Sequence, residues 1–209
     1  HNCLVGSEMC IRDRTNTYEL TNDMSHLEEK EIFLESTSSM VFDRVNRIVY
    51  AGISPRTNAV QLIIWCRHNN YELVLFETES HTGSPIYHTD VLMYVGTEII
   101  GICFDVITKE HRDYVKEKVS TYHDVVELSP EQIEKFCGNA IEAKNKNDEL
   151  FLILSTTAYK ALNEEQIEKL LKSYSDIIHS YIPTIEKYGG GSARCCLLYT
   201  SPSPRDSCA

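Results

Sequence analysis

Three stretches hold residue types capable of nucleophilic chemistry: LESTSSM around Glu35, YHTD around His88 and Asp90, and GGGSARC ending at Cys195. A thiolate that attacks, an imidazole that moves protons and carboxylates that orient both are the parts of cysteine-based catalysis. Each part also has a plainer reading. Cys195 fits a buried thiol, His88 a structural histidine, Glu35 a solvated turn acid, and Asn139 a residue that only fixes a turn. His26, His68, His81, His111, His123 and His179 show no metal-ligand spacing. Gly189–Ser192 is not a phosphate-binding loop, because the Lys-Ser/Thr that should follow is absent.

What could bring these residues together is a repeat in the hydrophobic pattern between Ser39 and Glu186. SMVFDRVNRIVY predicts two short strands around an Asp-Arg-Val-Asn turn. PRTNAVQLIIWCRHNN predicts a helix with Trp65 and Cys66 in the core, and YELVLFE a strand. A second unit starts at His88, with two strands about Gly96, the helix KEHRDYVKEKVSTY and the strand DVVELS. Ser129-Pro130-Glu131-Gln132 adds a short capped helix. A third unit starts at Gly138 with the hairpin GNAIEAKNKNDELFLILS. NEEQIEKLLKSYSDIIHSYI then reads as a helix with Ile167, Leu170, Leu171, Tyr174 and Ile178 on one face, and PTIE as a strand.

Three strand–strand–helix–strand units of roughly forty to fifty residues make a supersecondary array, not a doubly wound sheet. Such units keep their helices outside and aim their first-strand ends at a common axis. Glu35, His88 and Asn139, each just before a first strand, should therefore gather. GGGSARC, opening a fourth unit, should bring Cys195 to the same place.

The 209 residues suit one α/β domain or a large piece of one. A net charge of −11 with no basic stripe argues against a nucleic-acid backbone as partner. No apolar run reaches the about 18 residues of a membrane span. The two ends of the chain are related as opposite DNA strands. Met9-Cys10-Ile11-Arg12-Asp13-Arg14 can be encoded by a stretch whose complement, shifted one base, reads Cys196-Leu197-Leu198-Tyr199-Thr200. Extending through Val5-Gly6-Ser7-Glu8 gives Ser201-Pro202-Ser203-Pro204. Residues 1–14 and 196–209 are therefore expected to be translated sequencing adapter, and 15–195 the biological part. Cys66, Cys103, Cys137 and Cys195 remain there without a CxxC pair or an Asn-x-Ser/Thr sequon, which fits a reducing cytoplasm.

The junction segments resemble the amidinotransferase and arginine-deiminase superfamily, whose pentein fold is a five-unit α/β propeller. They are most similar to its arginine-deiminase-related, citrulline-utilisation hydrolase branch. The segment from Met24 to Thr57 looks like that branch's Glu-Gly-Thr-Gly-Ser-Met block, with Ser36 and Ser38 standing where it has glycine. SPIYHTDVLM, FCGNAIE and IPTIEKYGGGSARC resemble three further blocks in the right order. The resemblance covers Thr15–Cys195 and implies about three of the five units. It implies Cys195 as nucleophile, His88 as acid/base and Glu35 as its supporting carboxylate. Asp90 and Asn139 would bind substrate, with Gly190 and Gly191 letting the backbone approach it.

The implied chemistry is attack of a thiolate on the central carbon of a guanidinium or ureido group, with arginine, citrulline or a relative as small-molecule substrate. Neither metal nor cofactor is called for, and association into a homo-oligomer stays open. An amidinotransferase, in which an amine replaces water, is the alternative within the same fold. A pentein that only holds its amino-acid ligand, and a cysteine peptidase using Cys195 and His88, are the alternatives outside that chemistry. The 209-residue chain by itself is expected not to turn over substrate. Turnover by that chain, abolished by Cys195→Ala, overturns the expectation.

Overall fold

The structure, a computed structural model, describes Leu27 and residues 30–200, the last two by backbone alone. The expected tail 1–14, His26 and residues 201–209 lie outside the described residues.

Three separate three-stranded sheets follow one another along the chain, each with its strands in sequence order. In the first, β1 (Val41–Asp43) pairs antiparallel with β2 (Ile48–Gly52). β2 then pairs parallel with β3 (Glu72–Phe76) across the helix between them. The second repeats this with β4 (Met93–Val95), β5 (Ile99–Ile102) and β6 (Asp124–Glu127). The third uses β7 (Ile141–Lys144), β8 (Leu150–Ser155) and β9 (Asp176–Ser180). A parallel pair needs a crossover, and one or two helices supply it in each unit. The first strands are spatial neighbours in succession, β1 beside β4 and β4 beside β7.

Several of the helices begin where a side chain replaces a missing backbone partner. In order they are α1 (Ser36–Ser39), α2 (Ala59–Asn69), α3 (Thr89–Leu92), α4 (Lys109–Tyr122) and α5 (Pro130–Glu134). They continue with α6 (Thr156–Ala161), α7 (Glu164–Ser173), α8 (Pro183–Tyr188) and α9 (Ala193–Thr200). Asn58 caps α2 by accepting from Val60 and Gln61. Ser129 with Gln132, and Asn163 with Gln166, form capping boxes on α5 and α7. The two glutamines also bond one another, joining the second and third units.

The main core runs through all three units, from Tyr50 and Phe76 through Ile100 and Val119 to Leu152 and Leu170. A smaller cluster lies under α2. There Met40, Val49, Leu62 and Cys66 are buried, and Trp65 packs with Phe42 and Tyr71. Far along the first strands from Glu35, Asp43 and His123 meet with both side chains buried.

The third unit departs from the sequence reading. Its long helix stops at Ser173, SDIIHS pairs with β8 as β9, and PTIEKY forms α8 instead of a strand. The helical spacing runs on through Tyr174 to Ile178, but the free edge of β8 captures this β-branched segment. Pro183 then starts α8 at a position where its missing N–H costs nothing. Ile178 is consequently half exposed.

Gly138 fixes how the third unit meets the second. A Cβ there would lie 2.2 Å from the Val91 carbonyl oxygen, on backbone of α3. Gly138→Ala is expected to destabilise the fold by about 2 kcal/mol, as overpacking against backbone does. Denaturant unfolding measures this, and an unchanged midpoint refutes the close approach.

Candidate active site

Two short helical turns, missed by the sequence reading, prepare the site. Glu35 is the N-cap residue of α1 and His88 that of α3, and neither side chain caps its own turn. The turns pack against each other, so the two side chains meet: Glu35 Oε2 contacts His88 Nε2. Glu35 Oε1 accepts from Arg56 at 2.6 Å. Thr89 links the units beneath, donating to the Ser39 carbonyl at 2.7 Å and accepting from Gly52 N–H at 2.9 Å.

Ser36 has φ 46°, in the left-handed region. Glycine is the residue that adopts this without strain, and it is the residue that Ser36 replaces in the segment it resembles. Holding a serine in this region costs roughly 1–2 kcal/mol.

Asp90 sits in the first turn of α3 and is 1% exposed. Its Oδ2 accepts from Asn139 Nδ2 at 3.2 Å and lies 3.6 Å from Cys195 Sγ, which donates to it. The Arg194 Nε stands 3.8 Å from the same oxygen. Asp90 Oδ1 is buried with no hydrogen-bond partner among the described residues. Burial pushes the Asp90 carboxyl above its usual range, against the opposing pull of Arg194 and His88.

Asn139 is the hub. Its Nδ2 also donates to Cys195 Sγ at 3.3 Å, and its Oδ1 accepts from the backbone N–H of Ser192 and Cys195. Both ends of its amide are thus engaged by protein, where the resemblance implied contact with substrate. Cys195 lies in the first turn of α9. Burial, then the Asp90 charge, raise its thiol above the ordinary value, while the Asn139 amide and the Ser192 N–H work the other way. Burial also lifts the other thiols of the body, Cys66 and Cys103 to about 11 and Cys137 to about 12. Those three are inert at neutral pH.

Gly190 takes φ 71°, and its carbonyl accepts from the Tyr87 hydroxyl at 3.1 Å. The Tyr87 ring stacks obliquely on His88 with centroids 4.7 Å apart. Glu35, His88, Asp90, Asn139 and Cys195 therefore fall into one constellation, with Gly190 and Gly191 at its rim. Arg56, Tyr87 and Arg194 carry no periodic signal that would single them out, except that Arg194 precedes Cys195. Among the described residues no group of three His, Cys, Asp or Glu could hold a metal, and no helix is long and apolar enough to cross a membrane.

Comparison with known proteins follows this geometry. The family model described as N,N dimethylarginine dimethylhydrolase, eukaryotic, matches residues 8–200. No curated protein matches in sequence. Among solved structures, the fold is similar to the N-terminal domain of ArgZ bound to substrate, an arginine dihydrolase from the ornithine–ammonia cycle in cyanobacteria. That match has a TM-score of 0.59 and 18% identity, and covers 77% of this chain and 54% of that one. It is also similar to AgrE bound to L-arginine, at TM-score 0.62 and 12% identity over 77% of this chain and 22% of that one. SxtG, an amidinotransferase from Microseira wollei, matches at TM-score 0.51 and 14% identity over 76% and 45%. The chain spans about half the length of the ArgZ domain, 54%.

A Cβ at Gly191 would stand 2.9 Å from Cys195 Cβ and 3.0 Å from its Sγ. Gly191→Ala is expected to push the thiol away from Asp90 and Asn139 and return it toward an ordinary cysteine. Iodoacetamide labelling of Cys195 at neutral pH should then become several-fold faster, roughly as its thiolate fraction rises. An unchanged labelling rate shows that Gly191 does not set the thiol's position.

Proposed function

The chain belongs to the eukaryotic N,N-dimethylarginine dimethylhydrolase family, within the amidinotransferase and arginine-deiminase superfamily. From that membership we propose that its site hydrolyses a C–N bond at the central carbon of a guanidinium or ureido group. Arginine, an N-methylated arginine or citrulline is the substrate class. The three units are, in this reading, three of the five blades of a pentein propeller. Residues 15–195 are its biological part and 1–14 and 196–209 adapter.

One observation carries the proposal. A buried carboxylate with one unpartnered oxygen lies 3.6 Å from a cysteine thiol, beside an imidazole held by a second carboxylate. Asp90 Oδ1 suits a guanidinium N–H, since charge-assisted bonds to a buried carboxylate are strong. Without a bound cation, burial and then the Asp90 charge favour the thiol form of Cys195. A bound cation offsets that charge and favours the thiolate, the thiol proton passing to His88. The thiolate attacks the central carbon, and the C–N bond to the departing amine breaks as His88, oriented by Glu35, protonates it. Water then attacks the resulting covalent Cys195 adduct, giving up a proton to His88, and the C–S bond breaks to restore the thiolate. Asn139 holds the thiol and Asp90 in register through these steps.

The test is turnover by the uninterrupted protein on arginine, dimethylarginine and citrulline, with released amine, ammonia and amino-acid products quantified. Cys195→Ala is expected to abolish it. Asp90→Asn should lower kcat/KM by roughly a hundredfold, the scale of a lost charge-assisted hydrogen bond. Amidino transfer to glycine reassigns the protein as a transferase. Saturable binding without turnover makes it a ligand-holding pentein.

A further inference from the structure

Arg194 has no part in the bond-making steps above, yet it is 8% exposed and its guanidinium is placed at the centre of the site. Its terminal nitrogen donates to the Thr37 carbonyl at 3.1 Å, tying the Cys195 segment to the α1 turn beside Glu35. Its backbone N–H approaches the Asn139 carbonyl at 3.4 Å. Its Nε makes no hydrogen bond among the described residues and stands 3.8 Å from Asp90 Oδ2. The guanidinium is thus anchored from the far side. It presents its charge to Asp90 without occupying Oδ1, the oxygen left for a ligand.

We propose that Arg194 is a positioning residue, a resident guanidinium that keeps Asp90 an anion so that Oδ1 can take a second, incoming cation. This rests on the reading of Asp90 as the ligand carboxylate. An uncompensated carboxylate buried this deeply takes up a proton instead of bearing its charge. A neutral Asp90 no longer attracts a cation. Arg194 therefore works for the substrate and not in competition with it. The other titratable groups facing Asp90 are His88 on its own turn, Tyr87 just before it, and Cys195. Of the charges near Asp90, Arg194 lowers its pKa most.

The experiment uses the 209-residue chain, which contains every residue in the argument, in a Cys196→Ser background. Cys195 is labelled with chloroacetamidine, a cation, and with chloroacetamide, its neutral counterpart, and the ratio of the two rates is read across pH. The unsubstituted site is expected to prefer the cation. In Arg194→Met and Arg194→Gln that preference should fall about tenfold or more at neutral pH, one pKa unit or more at Asp90, and return at high pH. Arg194→Lys should keep most of it. Two neutral variants guard against one of them failing to fold. A ratio that stays level or rises in the neutral variants overturns the proposal, because a merely structural Arg194 slows both reagents alike. Absence of any preference in the unsubstituted site sinks the reading of Asp90 itself, a separate outcome.

Discussion

A carboxylate withdrawn from water costs on the order of several kcal/mol unless other groups replace its hydration. Asp90 is 1% exposed, and the groups that replace its water come from widely separated parts of the chain. His88 shares its turn, Asn139 opens the third unit, and Arg194 and Cys195 follow the glycine run. The compensation stops one oxygen short, at Oδ1. Under the proposed function, that remaining oxygen is where a cationic ligand would add to the ion pair already formed with Arg194. Burial, and after it the Asp90 charge, also raise the adjacent Cys195 thiol, so the two groups are electrostatically linked.

The repeat serves this arrangement through its junctions. Each unit begins with a residue that a short turn or a close approach delivers to the axis. Glu35 and His88 do so as cap residues that do not cap. Asn139 does so because Gly138 lets the chain pass within contact of the Val91 carbonyl. The sheets behind them are small, three strands each, and gain their stability from helices and from one another. Gln132 and Gln166 illustrate this, each finishing its own helix and bonding the other's side chain.

Much of this was legible in the residue pattern. The repeated apolar runs named eight of the nine strands among the described residues, and α4 occupies the same fourteen residues as the predicted helix KEHRDYVKEKVSTY. The third crossover was misread because Ile167, Leu170, Tyr174 and Ile178 keep helical spacing past the point where pairing with β8 takes the chain. A local period cannot register a partner strand twenty-five residues away. The turns α1 and α3 escaped because four residues carry no period at all. In the site, Glu35, His88 and Cys195 could be nominated from their junctions. That Asn139 engages protein with both ends of its amide, or that Arg194 points inward, depends on contacts between residues 49 to 157 positions apart.

Those separations bear on when the site exists. Glu35 meets His88 across 53 positions, Asp90 meets Cys195 across 105, and Thr37 meets Arg194 across 157. Contacts so distant in sequence form late, after the local hairpins and helices have closed. On a chain emerging from the ribosome, the first two units can be complete while Asp90 still faces water for want of Asn139, Arg194 and Cys195. Cys195 is the last of the five to be made, after Glu35, His88, Asp90 and Asn139. The constellation is therefore assembled only once residue 195 is in place, and the Tyr87–Gly190 hydrogen bond, across 103 positions, is among the long-range contacts that close it.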